Sequence, residues 1–243
     1  MISRLHTCFS LALIAALPLV AATVTGTVDL RDSREVPVRK KMDYSGVVVW
    51  LESLGPNQEL SKPALTTTVH ARMIQKNKTF SPHVLAIPVG ATVEFPNFDP
   101  IFHNAFSNYD GKFDLGLYAP GTSKSVGFSR LGIVRVFCNI HADMSAVIAV
   151  LQTPYFDVTK QNGSFEIANV PTGDYRLRVF HERATAVTLD ALTRRVTVAG
   201  ERLALPGIAI SESGFLAIPH SDKFGHEYRA APDDNVVYPA VTK

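Results

Sequence analysis

After residue 23 the chain alternates apolar and polar positions in short runs, and almost every run has the two-residue period of a half-buried strand. Stretches rich in Val, Ile, Thr and Phe are separated by clusters of Gly, Pro, Asn and Asp, which supply turns. The pattern predicts strands at Val24–Leu30, Gly46–Glu52, Thr66–Ile74, His83–Pro88, Ala91–Phe95, His103–Ser107, Ser125–Ser129, Ile133–Cys138 and Ser145–Leu151. Further strands are expected at Ser164–Ile167, Asp174–His181, Arg194–Val198 and Leu203–Ile210. No stretch carries sustained helical periodicity with caps, although Thr185–Leu192 suits a single turn of helix.

So many short strands exceed a minimal sandwich, and two β modules are the natural division. Residues 62–152 form one continuous β segment, with a seam near Thr153-Pro154. Residues 155–210 open with Gln161-Asn162-Gly163-Ser164, a strong hairpin signal, and continue through Val170-Pro171-Thr172-Gly173 into an alternating strand. Four strands are few for an independent unit, and those near residues 24–30 and 46–52 have no evident local partners. Residues 23–54 and 155–210 are therefore expected to pair around the middle segment, with consecutive domains as the alternative. Residues 211–243 read as an irregular wrap or end.

The first 22 residues carry a different pattern. A short basic start with Arg4 precedes an apolar run from Phe9 to Leu17, and small residues reach Ala22, as in a cleaved export signal. The run is too short, and Pro18 too disruptive, for a comfortable membrane span; an uncleaved anchor is the alternative. No later segment is apolar enough to span, so no stable membrane insertion is expected after cleavage. The expectation is a periplasmic or otherwise exported protein.

Charge changes this picture little. Lys and Arg number 24 against 22 Asp and Glu, a balance that does not favour nucleic acid or a membrane surface. Cysteine changes it more. Of the two, Cys8 lies in the expected signal, so one thiol, Cys138, remains. An internal disulfide, a four-cysteine zinc site and a cysteine-held iron–sulfur cluster are thereby disfavoured.

Around that thiol stand Phe137-Cys138-Asn139-Ile140-His141-Ala142-Asp143-Met144, so Cys, His and Met recur every third residue just after a strand. His103 follows Asn97-Phe98-Asp99-Pro100 at the start of an earlier one. A lone Cys or Met at a strand end is ordinarily core filling. Together, one thiolate, two imidazoles and a thioether make the donor set of a blue-copper site. Zinc is the chemical rival for the same Cys and His residues.

Here the chain resembles the cupredoxins. The resemblance runs from about Thr66 to Leu151 through Phe80-Ser81-Pro82, Val89–Phe95, Asn97-Phe98-Asp99, His103-Asn104 and Cys138–Met144. Its ligand spacing is similar to that of amicyanin, with Ala142-Asp143 in place of Pro-Phe. The resemblance implies an all-β Greek-key sandwich holding one type 1 copper. His103, Cys138 and His141 would be equatorial ligands and Met144 the axial one, with Asn104 tying the ligand segments together and donating its backbone N–H near the sulfur. The flanks, through Gly26-Thr27-Val28, Asn162–Ile167 and Val170–Tyr175, resemble the carboxypeptidase regulatory-like domain, a small transthyretin-like β-sandwich. The combination is similar to exported bacterial proteins labelled methylamine utilization proteins, a label that says nothing about this chain's substrate.

The resemblance implies a one-electron carrier, not an enzyme, serving a redox protein such as a periplasmic cytochrome or dehydrogenase. The alternative is a module that delivers copper or binds a partner. Ile101, Phe102, Ile140 and Ala142 are candidates for a docking patch around His141. His70, His83, His181, His220 and His226 lack paired spacing and read as ordinary histidines. Too few histidines remain for a multicopper oxidase. The chain shows no zinc-protease helix, no Gly-x-Ser-x-Gly elbow and no phosphate-binding glycine loop.

Overall fold

The run Ser145–Leu151 has no polar side chain after its first residue, and nearly all of it is buried. Such a strand needs cover on two faces. A computed structural model supplies that cover and describes residues 21–55, 69–108, 112–217 and 220–228. The chain begins with β1 (Ala21–Arg31), α1 (Val36–Lys41) and β2 (Val48–Ser53). Its middle supplies β3 (His70–Arg72), β4 (Ile74–Lys76), β5 (Thr79–Ser81), β6 (Val84–Pro88), β7 (Thr92–Pro96) and β8 (Phe106–Ser107). Next come β9 (Phe113–Asp114), β10 (Ser123–Gly127), β11 (Gly132–Phe137) and β12 (Ser145–Leu151). The last part supplies β13 (Phe156–Val158), β14 (Ser164–Pro171), β15 (Gly173–Phe180), α2 (Ala186–Ala191), β16 (Arg194–Val198), β17 (Arg202–Ala204) and β18 (Ile208–Ser211). Among the described residues the regular structure is all β apart from two short helices, and the strands form five sheets.

The largest sheet has the order β6-β12-β11-β8-β9. It shares a core with the sheet β10-β7-β3, in which Phe95 and Val93 meet Val134, Val136, Ile148 and Val150. A second core lies between the sheet β13-β2-β15-β16 and the sheet that joins β14, β1, β17 and β18. Here β1 pairs antiparallel with β14, and β2 with β15, so residues from both ends of the sequence build each sheet. The middle strands leave after β2 and the chain returns at β13.

The two cores are joined through strands with two apolar faces. Along β12, Ala146, Ile148 and Val150 face the first core, while Val147, Ala149 and Leu151 face a seam with Val48 and Trp50 of β2. Val49 and Leu51, alternating with those β2 residues, face the other core. The two-residue period of the strand thus lets one strand serve two cores at once.

Local chemistry sets several boundaries. At Asn162-Gly163 a Cβ on Gly163, whose φ is +76°, would stand 2.0 Å from the carbonyl oxygen of Val28, so only glycine fits. Pro37 stands in the first turn of α1, where its missing N–H costs nothing, and three basic residues occupy the last turn. The sequence pattern gave no sign of this helix, because one turn has no period to detect. The expected turn of helix near Thr185–Leu192 is α2, capped by the Thr185 side chain, which accepts from the Thr188 N–H.

Three expected strands differ from the structure. The single strand Thr66–Ile74 is instead β3 and β4, interrupted at Met73, and residues 66–68 of that expectation lie outside the described residues. Met73 is fully buried and its N–H bonds the Glu94 carbonyl, which turns the chain between sheets. The strand His103–Ser107 contracts to β8, leaving His103 in an isolated bridge with Tyr118. Leu203–Ile210 divides into β17 and β18 around Pro206-Gly207, both parallel to β1. Most of the expected signal lies outside the described residues, but Ala21 and Ala22 begin β1 opposite Pro171 and Val170, and Ala22 is fully buried.

Candidate metal centre

Strands β11 and β12 pair antiparallel from Gly132↔Val150 to Phe137↔Ser145. The seven residues 138–144 close their end, and Cys138 donates its N–H to the Met144 carbonyl at 3.0 Å. Met144 in turn donates to the His141 carbonyl at 3.1 Å, folding the loop back on itself. Spacing alone therefore gathers Cys138, His141 and Met144. Cys138 and Met144 are fully buried in the first core, and His141 is half-buried.

His103 reaches the loop from a separate segment. Its bridge to Tyr118 is made of two backbone bonds, and Tyr118 is anchored by its hydroxyl, which donates to the Phe95 carbonyl and meets the Gln75 amide. The result puts the Cys138 Sγ 3.7 Å from His103 Nδ1 and 3.6 Å from His141 Nδ1. The three donor atoms all lie within 4.8 Å of one another. A first-row metal bound by nitrogen and sulfur at about 2.0–2.3 Å, with angles between tetrahedral and trigonal, needs donors about 3.5–3.8 Å apart. The cluster fits such an ion.

A residue not singled out by spacing completes the setting. His103 Nε2 lies 2.7 Å from Asp99 Oδ2, and both side chains are buried. The imidazole donates to the carboxylate from Nε2, which leaves the Nδ1 lone pair toward the sulfur. Asp99 is held by the backbone N–H groups of Asn77 and Lys78, at 2.5 and 2.8 Å. Those two residues both have φ of +56° and form the turn between β4 and β5. The sequence pattern assigned no element to residues 75–82, because strands of three residues are too short to show a period.

Electrostatics favour a neutral His103 beside an ionised Asp99. Burial lowers the His103 pKa against the opposing pull of Asp99, so the ring is neutral at neutral pH. Burial would raise the Asp99 carboxyl, but bonds from Lys78, His103 and Asn77 hold it below the usual range. Burial pushes the Cys138 thiol up, while backbone N–H groups of Asn104, Ile140 and His141 favour the thiolate. Asn104, almost fully buried, also accepts the Asn139 N–H on its Oδ1 at 3.2 Å and donates to Asp114 at 2.7 Å.

Of the expected docking residues, Ile140 and Ala142 are exposed and Ile101 and Phe102 are half-buried. Phe98 and Leu117, each 57% exposed and each beside a residue that orders the His103 segment, add apolar surface that the sequence pattern did not single out. Among the other histidines, His83 and His181 meet Glu182 and Glu212 at 2.8 and 2.9 Å. His220 departs from the ordinary surface role expected of it, since it bonds the Ala142 carbonyl in the ligand loop at 2.6 Å.

No family model and no curated protein matches the chain. Among solved structures, it is similar to a purple cupredoxin from Nitrosopumilus maritimus, at 26% identity over 33% of this chain and 99% of that one, with a TM-score of 0.32. It is similar to a copper-containing nitrite reductase from Thermus scotoductus SA-01 at 26% identity, over 40% of this chain and 27% of that one, with a TM-score of 0.33. A reduced amicyanin variant is 17% identical over 37% of this chain and 95% of that one, with a TM-score of 0.32. The similarities are low in identity and cover 33–40% of this chain.

Proposed function

We propose that the chain is an exported type 1 copper protein that carries one electron at a time. The observation that carries the reading is the spacing of the Cys138 sulfur from two imidazole nitrogens, 3.7 and 3.6 Å, in a buried pocket. His103, Cys138 and His141 would hold the ion, with the Met144 thioether as a fourth donor. Copper would supply the one-electron couple, and a mixed soft-and-imidazole donor set suits both of its oxidation states.

The protein's own part is to hold the donors still. Asp99 sets the His103 tautomer, Asn104 joins the two ligand segments, and the Cys138–Met144 backbone bond closes the loop. Cys138 leads directly into β11, and half-buried His141 offers the shorter way to a partner. Exposed Ile140, the residue before His141, suits docking of a redox protein such as a periplasmic cytochrome or dehydrogenase. We assign no reaction of its own to the chain. Residues 62–152 would form the copper module, and residues 23–54 with 155–210 the carboxypeptidase regulatory-like sandwich around it. Export rests on the signal-like first 22 residues; among the described residues no helix is long and apolar enough to cross a membrane.

Titration of the purified chain with Cu(II) tests the reading. An intense blue band that bleaches with ascorbate and is absent in Cys138→Ser supports it. A colourless protein that binds Zn(II) as readily overturns it, and rapid copper loss to a partner-like chelator in both oxidation states points to delivery instead.

A further inference from the structure

The ligand loop 138–144 turns three acceptors outward, and one distant segment takes all three. Tyr228 donates its hydroxyl to the Cys138 carbonyl at 2.7 Å. The Lys223 backbone N–H donates to Asn139 Oδ1 at 3.0 Å. His220 Nε2 donates to the Ala142 carbonyl at 2.6 Å. These donors lie within residues 220–228, some 80 to 90 positions beyond the acceptors.

The segment has a defined shape of its own. Asp222 accepts from the N–H groups of Phe224 and His226 at 2.8 and 2.9 Å, and Gly225, with φ of +85°, lets the chain reverse. The His220 ring stacks on Phe137, centroids 4.0 Å apart, and meets the edge of Tyr228 at 5.1 Å. Phe137 is the residue immediately before the thiol.

A closed ring of hydrogen bonds then ties this segment to both ligand-bearing segments. Asn139 N–H donates to Asn104 Oδ1, Asn104 Nδ2 to Asp114 Oδ1 at 2.7 Å, and Lys223 Nζ to Asp114 Oδ2 at 2.8 Å. The Lys223 backbone returns to Asn139 and closes the ring. Asn104 adjoins His103, and Asn139 adjoins Cys138. The ring therefore spans the gap between the first imidazole and the sulfur.

We propose that residues 220–228 are an intrachain clamp that positions the ligand loop, with Tyr228 and His220 as its positioning residues. The proposal rests on the copper reading for its consequence, slow metal loss, but the clamping itself is a property of the chain. The clamp covers the Phe137–Asn139 side of the loop and leaves His141 half-buried, so it steadies the centre without sealing it.

The test uses the full chain with Tyr228→Phe, which removes one hydroxyl, and His220→Phe, which keeps a ring over Phe137 but loses the bond. Copper loss from the reduced protein to a Cu(I) chelator should quicken about fivefold in each, as expected for one hydrogen bond. In the double variant it should quicken about 25-fold if the two bonds act independently. The visible band of the loaded protein should also shift. In the metal-free chain, hydrogen exchange at the Asn139 and Met144 amides should accelerate in the same variants, while exchange along β2 stays unchanged. Loss and exchange rates within twofold of the parent in both single variants would overturn the clamp. If the parent chain takes no blue band, the copper reading fails, and the exchange measurement alone decides the clamp.

Discussion

His103 Nε2 stands 2.7 Å from Asp99 Oδ2, and neither side chain has more than a trace of exposure. The carboxylate lies four residues before the imidazole and is pinned by backbone N–H groups from a hairpin turn more than 20 residues earlier. It fixes which nitrogen carries the proton, and with that which nitrogen can bind a metal. An Asp in this place also makes the imidazole a stronger donor.

Asp99→Asn should therefore weaken metal binding by about 10–100-fold and raise the reduction potential, because the more basic ligand favours the oxidised ion. Competitive titration and voltammetry of the variant check both. An unchanged potential would mean that Asp99 only braces the β4–β5 turn.

Trp50 fills the seam between the two cores, where it meets Val84, Val147 and Leu151. Trp50→Ala should cost about 3–5 kcal/mol of stability, read from urea unfolding, because the cavity cannot collapse between two sheets. The blue band of the folded, copper-loaded variant should stay where it is, since Cys138 lies in the first core and Trp50 in the seam outside it. A displaced band would couple seam and site.

Gly163→Ala meets both a left-handed backbone and the Val28 carbonyl, 2.0 Å from the new methyl. The substitution should destabilise by about 1–3 kcal/mol or more, well beyond the usual cost of a surface change. Thermal melting of the metal-free chain checks it.

His181 is 2% exposed and its Nε2 lies 2.9 Å from Glu212 Oε1, while its Nδ1 has no partner among the described residues. Burial lowers its pKa, with Glu212 pulling the other way and Arg183 reinforcing the fall. In the unfolded chain the ring titrates near 6.5, so there it binds more protons than in the folded state once the pH drops. Its contribution is thus fully present above about pH 6.5 and is lost as the pH falls through the lower folded value. Unfolding free energy should decline less steeply between about pH 6.5 and 5 in His181→Asn than in the parent. Equal slopes would mean that other groups govern the decline.

Spacing made the loop legible. Cys138, His141 and Met144 stand close in the chain, and a short connection between two antiparallel strands leaves them little choice but to gather. The donor types pointed to a metal site, and the structure brings His103 into the same cluster through an isolated bridge to Tyr118 that was not visible as a strand property. Asp99 was quoted as part of a motif, but its bond to His103 depends on a turn at Asn77-Lys78, in a stretch to which the hydrophobic pattern assigned no element. His220 looked ordinary because nothing near it in sequence bears a ligand.

By itself the amino-acid sequence determined what is local: the strand periods, the Asn162-Gly163 turn, the donor set of the ligand loop and the single described thiol. Tertiary structure alone decided which strands pair across the middle segment, which face of β12 meets which core, and which groups hold the ligands in place. The physical reason is that periodicity and spacing act along neighbouring residues. Pairings such as β2 with β15, and bonds such as Tyr228 to Cys138, depend on burial and geometry between residues far apart in the chain.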